Sequence, residues 1–149
     1  MTIGAICNHK VITVKEEVTV FKAAKLMRSH HVGNVIVVKD DHGKSVPLGI
    51  VTDRDLVIEV LATELDSKVI TVGDIMVKHL SVIKESAGIF ETIKTMTSTG
   101  VRRLPVLDDS GKLIGVVTLD DLLILLSNEL GSLTKLITRE LKNETLLRR

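Results

Sequence analysis

The amino-acid sequence predicts a mixed α/β fold of the α+β class, with two βαββα repeats packed in pseudo-two-fold symmetry and a C-terminal helix. A short motif occurs twice, as GIVTDRD at residues 49–55 and as GVVTLDD at residues 115–121. Matching apolar landmarks precede both copies, and most of them lie 69 positions apart, as Phe21 and Phe90 do. Such self-similarity indicates an internal repeat. Apolar residues at helical spacing continue beyond the second copy, which predicts the extra helix.

Each element of the first repeat follows from a local pattern. β-branched residues favour a strand, apolar residues at helical spacing favour a helix, and a glycine within a polar stretch permits a tight turn. The strand at 32–38 is so continuously apolar that we expect it to be buried on both faces. The predicted elements are strands at 11–14, 32–38 and 47–51, helices from 20 to about 30 and from 53 to about 62, and a turn at 40–44.

The second repeat has the same order of landmarks. The spacing between the repeats falls to 66 positions at Gly49 and Gly115, because the turn of the first repeat is longer. One repeat of roughly 60 residues could bury little surface alone, so we expect the two to pack on each other. We expect the first repeat at 1–66, the second at 67–128 and an extension at 129–149. The pairs at a spacing of 69 are Gly4/Gly73, Ile6/Ile75, Phe21/Phe90, Met27/Met96, Val32/Val101 and Val37/Val106.

The spacing of apolar residues in the extension at 129–149 predicts an amphipathic helix, and Gly131 and Ser132 predict that it is broken or kinked near them. Its apolar stripe must rest on the body of the protein or on a second chain. The stripe consists of Leu130, Leu133, Leu136, Ile137 and Leu141.

Composition argues against several classes of protein. The formal net charge is +1, and Phe21 and Phe90 are the only Phe, Tyr or Trp residues, so a nucleic-acid surface is disfavoured. Cys7 is the only cysteine and the five histidines are scattered, so we expect no disulfide, no metal site and a reducing, cytoplasmic setting. The N-terminus lacks a secretory signature and no apolar run approaches about 18 residues, so we expect neither a signal peptide nor a membrane span.

Both motif copies place a threonine at the end of an apolar run and an aspartate three residues further on. Thr52 with Asp55, and Thr118 with Asp121, therefore fit a capping box, with Thr at the N-cap and Asp at N3. Such a cap stabilises a helix start by about 0.5–2 kcal/mol without any ligand. The same residues could also bind a ligand, and the two roles do not exclude each other.

Two arms of this order, each ending in Gly-x-x-Thr-x-x-Asp, resemble a tandem pair of cystathionine β-synthase-type (CBS) domains, the Bateman module. The resemblance covers about residues 3–128 and includes VITV at 11–14, VRRLPVL at 101–107 and TDRD at 52–55. It implies that the chain binds adenosine nucleotides (AMP, ADP or ATP) or S-adenosylmethionine in clefts between the arms. It also implies a homodimer that regulates other proteins and is not itself an enzyme.

The signature residues suit a nucleotide. A carboxylate has two acceptor oxygens and can accept hydrogen bonds from both ribose hydroxyls, so we expect Asp55 and Asp121 to bind the sugar. Thr52 and Thr118 are within plausible reach of the sugar or the α-phosphate, and the N-terminus of a helix favours phosphate. By resemblance, each cleft also takes residues from the other arm, although for the apolar ones the sequence alone favours ordinary core packing. These residues are Ile12, Val32 and Asn34 for the cleft of Asp121, and Ser81 and Val101 for the cleft of Asp55.

Phosphate needs positive charge, and here the two arms differ. Arg103 occupies the place of Asn34 in the first arm, and the resemblance implies that a basic residue at this position contacts phosphate. We expect Arg103 in the cleft of Asp121. The first cleft lacks that charge but has Arg54 where the second has Asp120, and a guanidinium suits forked phosphate binding. Either arginine could instead be a solvated residue, and we expect the two sites to be unequal.

The leading hypothesis is a stand-alone regulatory module that senses an adenine nucleotide. The alternatives are a sensor of S-adenosylmethionine and a ligand-independent assembly module whose C-terminal helix docks a partner. An enzyme has little support, because the sequence contains no Ser-centred nucleophile motif and no Walker-type phosphate loop.

Overall fold

The computed structural model describes residues 1–148. Two compact units are present, one formed by Met1–Val117 and the other by the chain from Thr118 onward. The first arm contains α1 (Ile3–Ile6), β1 (Thr13–Val14), α2 (Val20–His30), β2 (Asn34–Asp41), β3 (Lys44–Thr52) and α3 (Asp53–Asp55), which continues as a π-helix (Leu56–Leu61). The second arm contains α4 (Val72–Ile75), β4 (Ile83–Lys84), α5 (Ile89–Thr99), β5 (Arg103–Leu107), β6 (Leu113–Thr118) and α6 (Leu119–Leu147).

Each arm has its own three-stranded sheet, in the order β1-β2-β3 and β4-β5-β6. In the first sheet, β1 runs parallel to β2, and β2 runs antiparallel to β3. In the second sheet, β4 again runs parallel to β5. Two small mixed sheets with helices and a long C-terminal helix confirm the predicted mixed α/β class and the repeat.

Strand β2 is buried on both faces, as predicted. Successive side chains of a strand point to opposite faces. Val35 and Val37 lie in a core that consists of first-arm residues and Val72 of α4, whereas Ile36 and Val38 pack in a second cluster with residues of the second arm such as Val116. One strand therefore supplies both the core of its own arm and part of the contact between the two arms.

The central helices of the two arms are equal in length and end in the same way. Helix α2 begins at the N-cap Thr19, whose hydroxyl accepts a hydrogen bond from the Lys22 N–H at 3.3 Å. His31, the C-cap that follows the helix, has the left-handed φ of 53°. Gly100 caps α5 in the same way, with φ of 69°. Left-handed residues commonly close helices because they redirect the last N–H groups to free carbonyls.

The N-terminal segment of each arm packs on the other arm. The Gly4 N–H donates to the Glu85 carbonyl at 2.9 Å, and the Gly73 N–H donates to the Glu16 carbonyl at the same distance. Both donors and both acceptors differ by 69 positions, so the two contacts are equivalent under the repeat. Each arm thus forms backbone hydrogen bonds with the N-terminal segment of the other, which confirms that the arms pack together.

The predicted break near Gly131 and Ser132 is wrong, because α6 runs from Leu119 to Leu147 without interruption. A glycine in a helix costs only about 1 kcal/mol relative to alanine, and the neighbouring residues favour helix. Ser132 bonds back to the Asn128 carbonyl at 3.2 Å, a side-chain bond compatible with a continuous helix. The helix of the second motif and the predicted separate extension are thus one helix, while the boundaries at 66 and 128 stay predictions.

Candidate functional site

The first signature forms the capping box predicted from its sequence. The Asp55 N–H donates to the Thr52 hydroxyl at 3.2 Å, and the Thr52 N–H donates to Asp55 Oδ2 at 2.8 Å. Both residues are half-buried. The box uses Oδ2 of Asp55 and leaves Oδ1 as an acceptor outside it. The aspartate is therefore fixed in position by one oxygen while the other remains available for a hydroxyl group.

The second signature repeats this geometry at the start of α6. The Asp121 N–H donates to the Thr118 hydroxyl at 3.1 Å, and the Thr118 N–H donates to Asp121 Oδ2 at 3.0 Å. Both residues are again half-buried, whereas Asp120 is exposed. The two motif copies therefore build the same local structure within a few tenths of an ångström.

A third capping box shows that this geometry does not by itself indicate a ligand site. Thr71 and Asp74 form the same reciprocal bonds at the start of α4, although they stand outside both signatures. The Thr71 N–H donates to Asp74 at 2.9 Å, and this bond, assisted by the Thr71 hydroxyl, lowers the pKa of the Asp74 carboxyl. The ligand hypothesis therefore needs evidence from the surroundings of each box.

The glycine that opens each signature has a structural reason that the sequence did not reveal. A Cβ atom at Gly49 would lie 2.7 Å from the Val77 carbonyl oxygen and 2.8 Å from Met76 Sδ. A Cβ atom at Gly115 would lie 2.6 Å from Cys7 Sγ and 2.9 Å from the Asn8 carbonyl oxygen. In both arms the N-terminal segment of the opposite arm crosses the strand at this glycine. The repeated Gly is thus explained by the packing of the arms.

Arg103 brings positive charge to the first signature. Its Nη2 lies 3.5 Å from the point where a Cβ atom of Gly33 would be, and Asp53 Oδ2 lies 3.1 Å from the same point. Gly33 also accepts a hydrogen bond from the Asp53 N–H at 3.0 Å. The guanidinium thus lies beside the first signature, and the assignment of Arg103 to the cleft of Asp121 stays a prediction. The long side chain of Arg103 begins on β5 in the second arm and reaches the first.

Arg54 and Asn34 flank the same place. Arg54 is exposed, and its N–H donates to Asp53 Oδ1 at 2.8 Å. Asn34 is the register partner of Thr52 across β2 and β3. The backbone of Arg54 therefore lies at the start of α3, and the register of the sheet places Asn34 beside Thr52.

The remaining predicted residues are half-buried, as cleft residues and edge-of-core residues both are. The Ile12 carbonyl accepts a hydrogen bond from the Ile36 N–H at 3.0 Å. At the end of α2 the Val32 N–H donates to the Met27 carbonyl, and at the end of α5 the Val101 N–H donates to the Met96 carbonyl. The assignment of Ile12, Val32 and Asn34 to a cleft with Asp121, and of Ser81 and Val101 to a cleft with Asp55, stays a prediction.

Asp53 and Gly33 are the residues that sequence reasoning missed. Asp53 stands inside the first signature, and its counterpart in the second is Leu119. That difference in charge was the signal that could have drawn attention to Asp53. Gly33 could be recognised only from the structure, because its importance lies in the side chains that approach it.

Residues 1–148 contain no group of three or more His, Cys, Asp or Glu side chains arranged to hold a metal ion. Within the same residues, no helix is both long and apolar enough to cross a lipid bilayer.

Comparison with known proteins identifies both arms. A model of the CBS domain family matches the chain twice, at residues 3–62 and 72–128. An uncharacterised protein of Methanopyrus kandleri is 37% identical over 123 residues, which make up 83% of this chain and 61% of that protein. The match thus spans less than two thirds of that relative. Hypoxic response protein 1 of Mycobacterium tuberculosis is 35% identical over 117 residues, or 78% of this chain and 79% of that protein.

Solved structures share the fold. The crystal structure of Hypoxic Response Protein I with two coordinated zinc ions has a TM-score of 0.71 and 35% identity, and covers 81% of this chain and 95% of its own. The CBS domain pair of protein MJ0100, in complex with 5′-methylthioadenosine and S-adenosyl-L-methionine, has a TM-score of 0.74 and 26% identity. That alignment covers 87% of this chain and 98% of the MJ0100 chain.

Proposed function

This chain belongs to the CBS domain family, and we propose that it is a regulatory module that binds AMP, ADP or ATP at its signatures and has no catalytic activity of its own. The signal would be a change in conformation or assembly that the ligand brings about. The cytoplasmic setting expected from the single cysteine is part of the same proposal.

The observation that carries the proposal is the approach of Arg103 to the first signature. A nucleotide offers a ribose diol and a phosphate, which require an acceptor and a cation a few ångströms apart. Asp55 Oδ1 supplies the acceptor, and the guanidinium beside Gly33 supplies the cation. Arg103 is half-buried, so its charge is less screened by solvent than that of a fully exposed arginine.

The same arrangement explains how a ligand could act on the whole module. The acceptor belongs to the first arm and the cation to the second, so a nucleotide that contacts both connects the arms. A ligand shifts a conformational equilibrium only by its difference in affinity for the two states. A nucleotide would therefore favour the arrangement in which Arg103 and Asp55 are close enough to bind it together.

An S-adenosylmethionine sensor is the second candidate, and one observation favours it. The MJ0100 domain pair binds S-adenosylmethionine and 5′-methylthioadenosine, which carry the same adenosine group but no phosphate. The ribose contact of Asp55 would serve either ligand. A nucleotide offers phosphate to Arg103, whereas S-adenosylmethionine offers only its single carboxylate and 5′-methylthioadenosine offers no anionic group. The charge of the ligand therefore separates the two candidates.

Self-association is also part of the proposal, as a homodimer. Helix α2 and the π-helix line an open apolar cavity of about 280 Å³. Phe21 and Leu61, which line it, are 42% and 73% exposed. Apolar patches of this kind mark interaction surfaces. The stripe of α6 is likewise exposed, by 58–64% at Leu130, Leu133, Leu136, Ile137 and Leu141.

We expect light scattering at micromolar concentration to give twice the chain mass of 16.3 kDa. Replacing Leu61 with Ser and Leu133 with Ser in separate variants identifies which surface is used. A mass of one chain at all concentrations would contradict the homodimer. Assembly without any ligand effect would favour the purely structural alternative.

A thermal-shift screen tests the ligand. Binding to the native state adds RT ln(1 + [L]/Kd), about 2.7 kcal/mol at a hundredfold excess over Kd. The screen compares AMP, ADP, ATP, adenosine and S-adenosylmethionine, with GMP as the control for the base. We expect adenine nucleotides to raise the melting temperature and GMP to have little effect. No shift with any adenosine compound, confirmed by calorimetry, would overturn the proposed function.

A further inference from the structure

The first signature contains a carboxylate, that of Asp53, which lies close to the guanidinium of Arg103. Asp53 Oδ2 and Arg103 Nη2 approach one point beside Gly33, at 3.1 and 3.5 Å. Gly33 has no side chain to separate them, and a Cβ atom there would be in tight contact with the carboxylate. A phosphate that reaches Arg103 at this place must therefore also come close to Asp53.

The backbone holds Asp53 in this position. Its N–H donates to the Gly33 carbonyl at 3.0 Å, and its Oδ1 accepts from the Arg54 N–H at 2.8 Å. Oδ2 is the carboxylate oxygen nearest to the point that Arg103 approaches. The second signature has no such carboxylate, because Leu119 occupies the equivalent position.

We propose that Asp53 sets the charge preference of the first signature by opposing phosphate next to Arg103. With the carboxylate present, the guanidinium is partly neutralised, and each added phosphate charge meets repulsion as well as attraction. Adenosine ligands without an anionic group, such as adenosine itself, are not subject to this repulsion. Asp53 would thus favour ligands of low negative charge over polyphosphates. Asp53 matters only if this signature binds an adenosine ligand, so the inference rests on the proposed function.

Asp53→Asn tests this role while preserving the fold, because the asparagine carbonyl oxygen can still accept from the Arg54 N–H. Calorimetry at low salt measures the affinities of adenosine, AMP and ATP for the wild type and the variant. We expect the AMP-to-adenosine affinity ratio to rise about five- to tenfold, since one unit charge at several ångströms near a protein surface has an effect of this order. The rise should be larger for ATP, and added salt should reduce it.

Asp109→Asn is the matched control. It changes the net charge by the same amount but lies in the exposed turn between β5 and β6. The AMP-to-adenosine affinity ratio of this variant should therefore equal that of the wild type. A structural effect of Asp53 would change the affinities of adenosine and AMP together and leave their ratio unchanged. Adenosine binding with an unaltered ratio in Asp53→Asn would overturn the role of Asp53. Failure of adenosine and all nucleotides to bind the wild type would instead overturn the proposed function.

Discussion

The two signatures begin in the same way and then diverge. Each starts with a capping box whose bonds differ by no more than 0.2 Å between the copies. After the first box, three α-helical residues pass into the π-helix Leu56–Leu61, and Glu64 adopts the left-handed φ of 58°. After the second box, α6 continues for 29 residues. The comparison shows that the motif determines where a helix starts, while the residues beyond it determine where the helix ends.

The signatures also differ in charge. Asp53 and Arg54 of the first stand where the second has Leu119 and Asp120. Arg103 adds a guanidinium beside the first signature. Two copies with the same hydrogen-bond geometry can therefore prefer different ligands, and each can be tested separately.

The largest expected effect comes from the aspartates that we assign to the ribose. Asp55→Ala and Asp121→Ala should each weaken adenosine-nucleotide binding by about 1.5–3 kcal/mol at one site, because each removes a charged hydrogen-bond acceptor. That corresponds to an affinity loss of roughly tenfold to more than a hundredfold. Calorimetry on each variant measures both the affinity and the number of sites.

Asp74→Ala provides the control for the loss of a capping box. Its box is the same, but it lies outside both signatures. Asp74→Ala should therefore lose some stability and no affinity. Unchanged affinity and stoichiometry in both Asp55→Ala and Asp121→Ala would show that the signatures are helix caps only.

The sequence was a sufficient guide to the fold and to the local geometry of each signature, and a weaker guide to what surrounds them. The repeat follows from landmarks that recur at a nearly constant spacing, and strand β2 and the Thr–Asp boxes follow from patterns within a few residues. The position of Arg103 could not be predicted, because it depends on how one arm packs on the other. The prediction of a break at Gly131 was wrong because a glycine destabilises a helix by only about 1 kcal/mol relative to alanine, and the surrounding residues, which favour helix, offset this cost.

The glycines that open the signatures should be sensitive in both arms. Gly49→Ala and Gly115→Ala each place a methyl group within 2.9 Å of a backbone carbonyl oxygen of the crossing segment. Because backbone cannot move aside as a side chain can, each change should destabilise the protein by about 1–3 kcal/mol. Urea unfolding measures the loss. Gly131→Ala, where nothing lies within 4 Å of the new Cβ atom, is the control, and an equal loss there would refute the crossing explanation.

Arg103→Ala tests whether the guanidinium beside the first signature contacts phosphate. If the guanidinium contacts phosphate, the variant should lose about 1 kcal/mol or more of affinity for AMP, as expected for a hydrogen bond to a charged group, and little for adenosine. Titrations with AMP and adenosine measure the difference. Asn34→Ala, at the equivalent position of the first arm, should show no such gap. An equal loss for both ligands would mean that Arg103 supports the structure and does not contact phosphate.

The smallest expected effect concerns the difference in length between the helix that follows the second signature and the shorter one that follows the first. Helix α6 continues through Gly131, and a Cβ atom there would meet nothing within 4 Å. Gly131→Ala should therefore stabilise the helix by about 1 kcal/mol, because alanine loses less backbone entropy on becoming helical. The residues from 132 to 148 are exposed, so the gain should appear locally, as slower hydrogen exchange of their amides, more than in global unfolding. If exchange in this segment were as fast in Gly131→Ala as in the wild type, the helix would be interrupted at Gly131 in solution. The second signature would then start a helix little longer than that of the first.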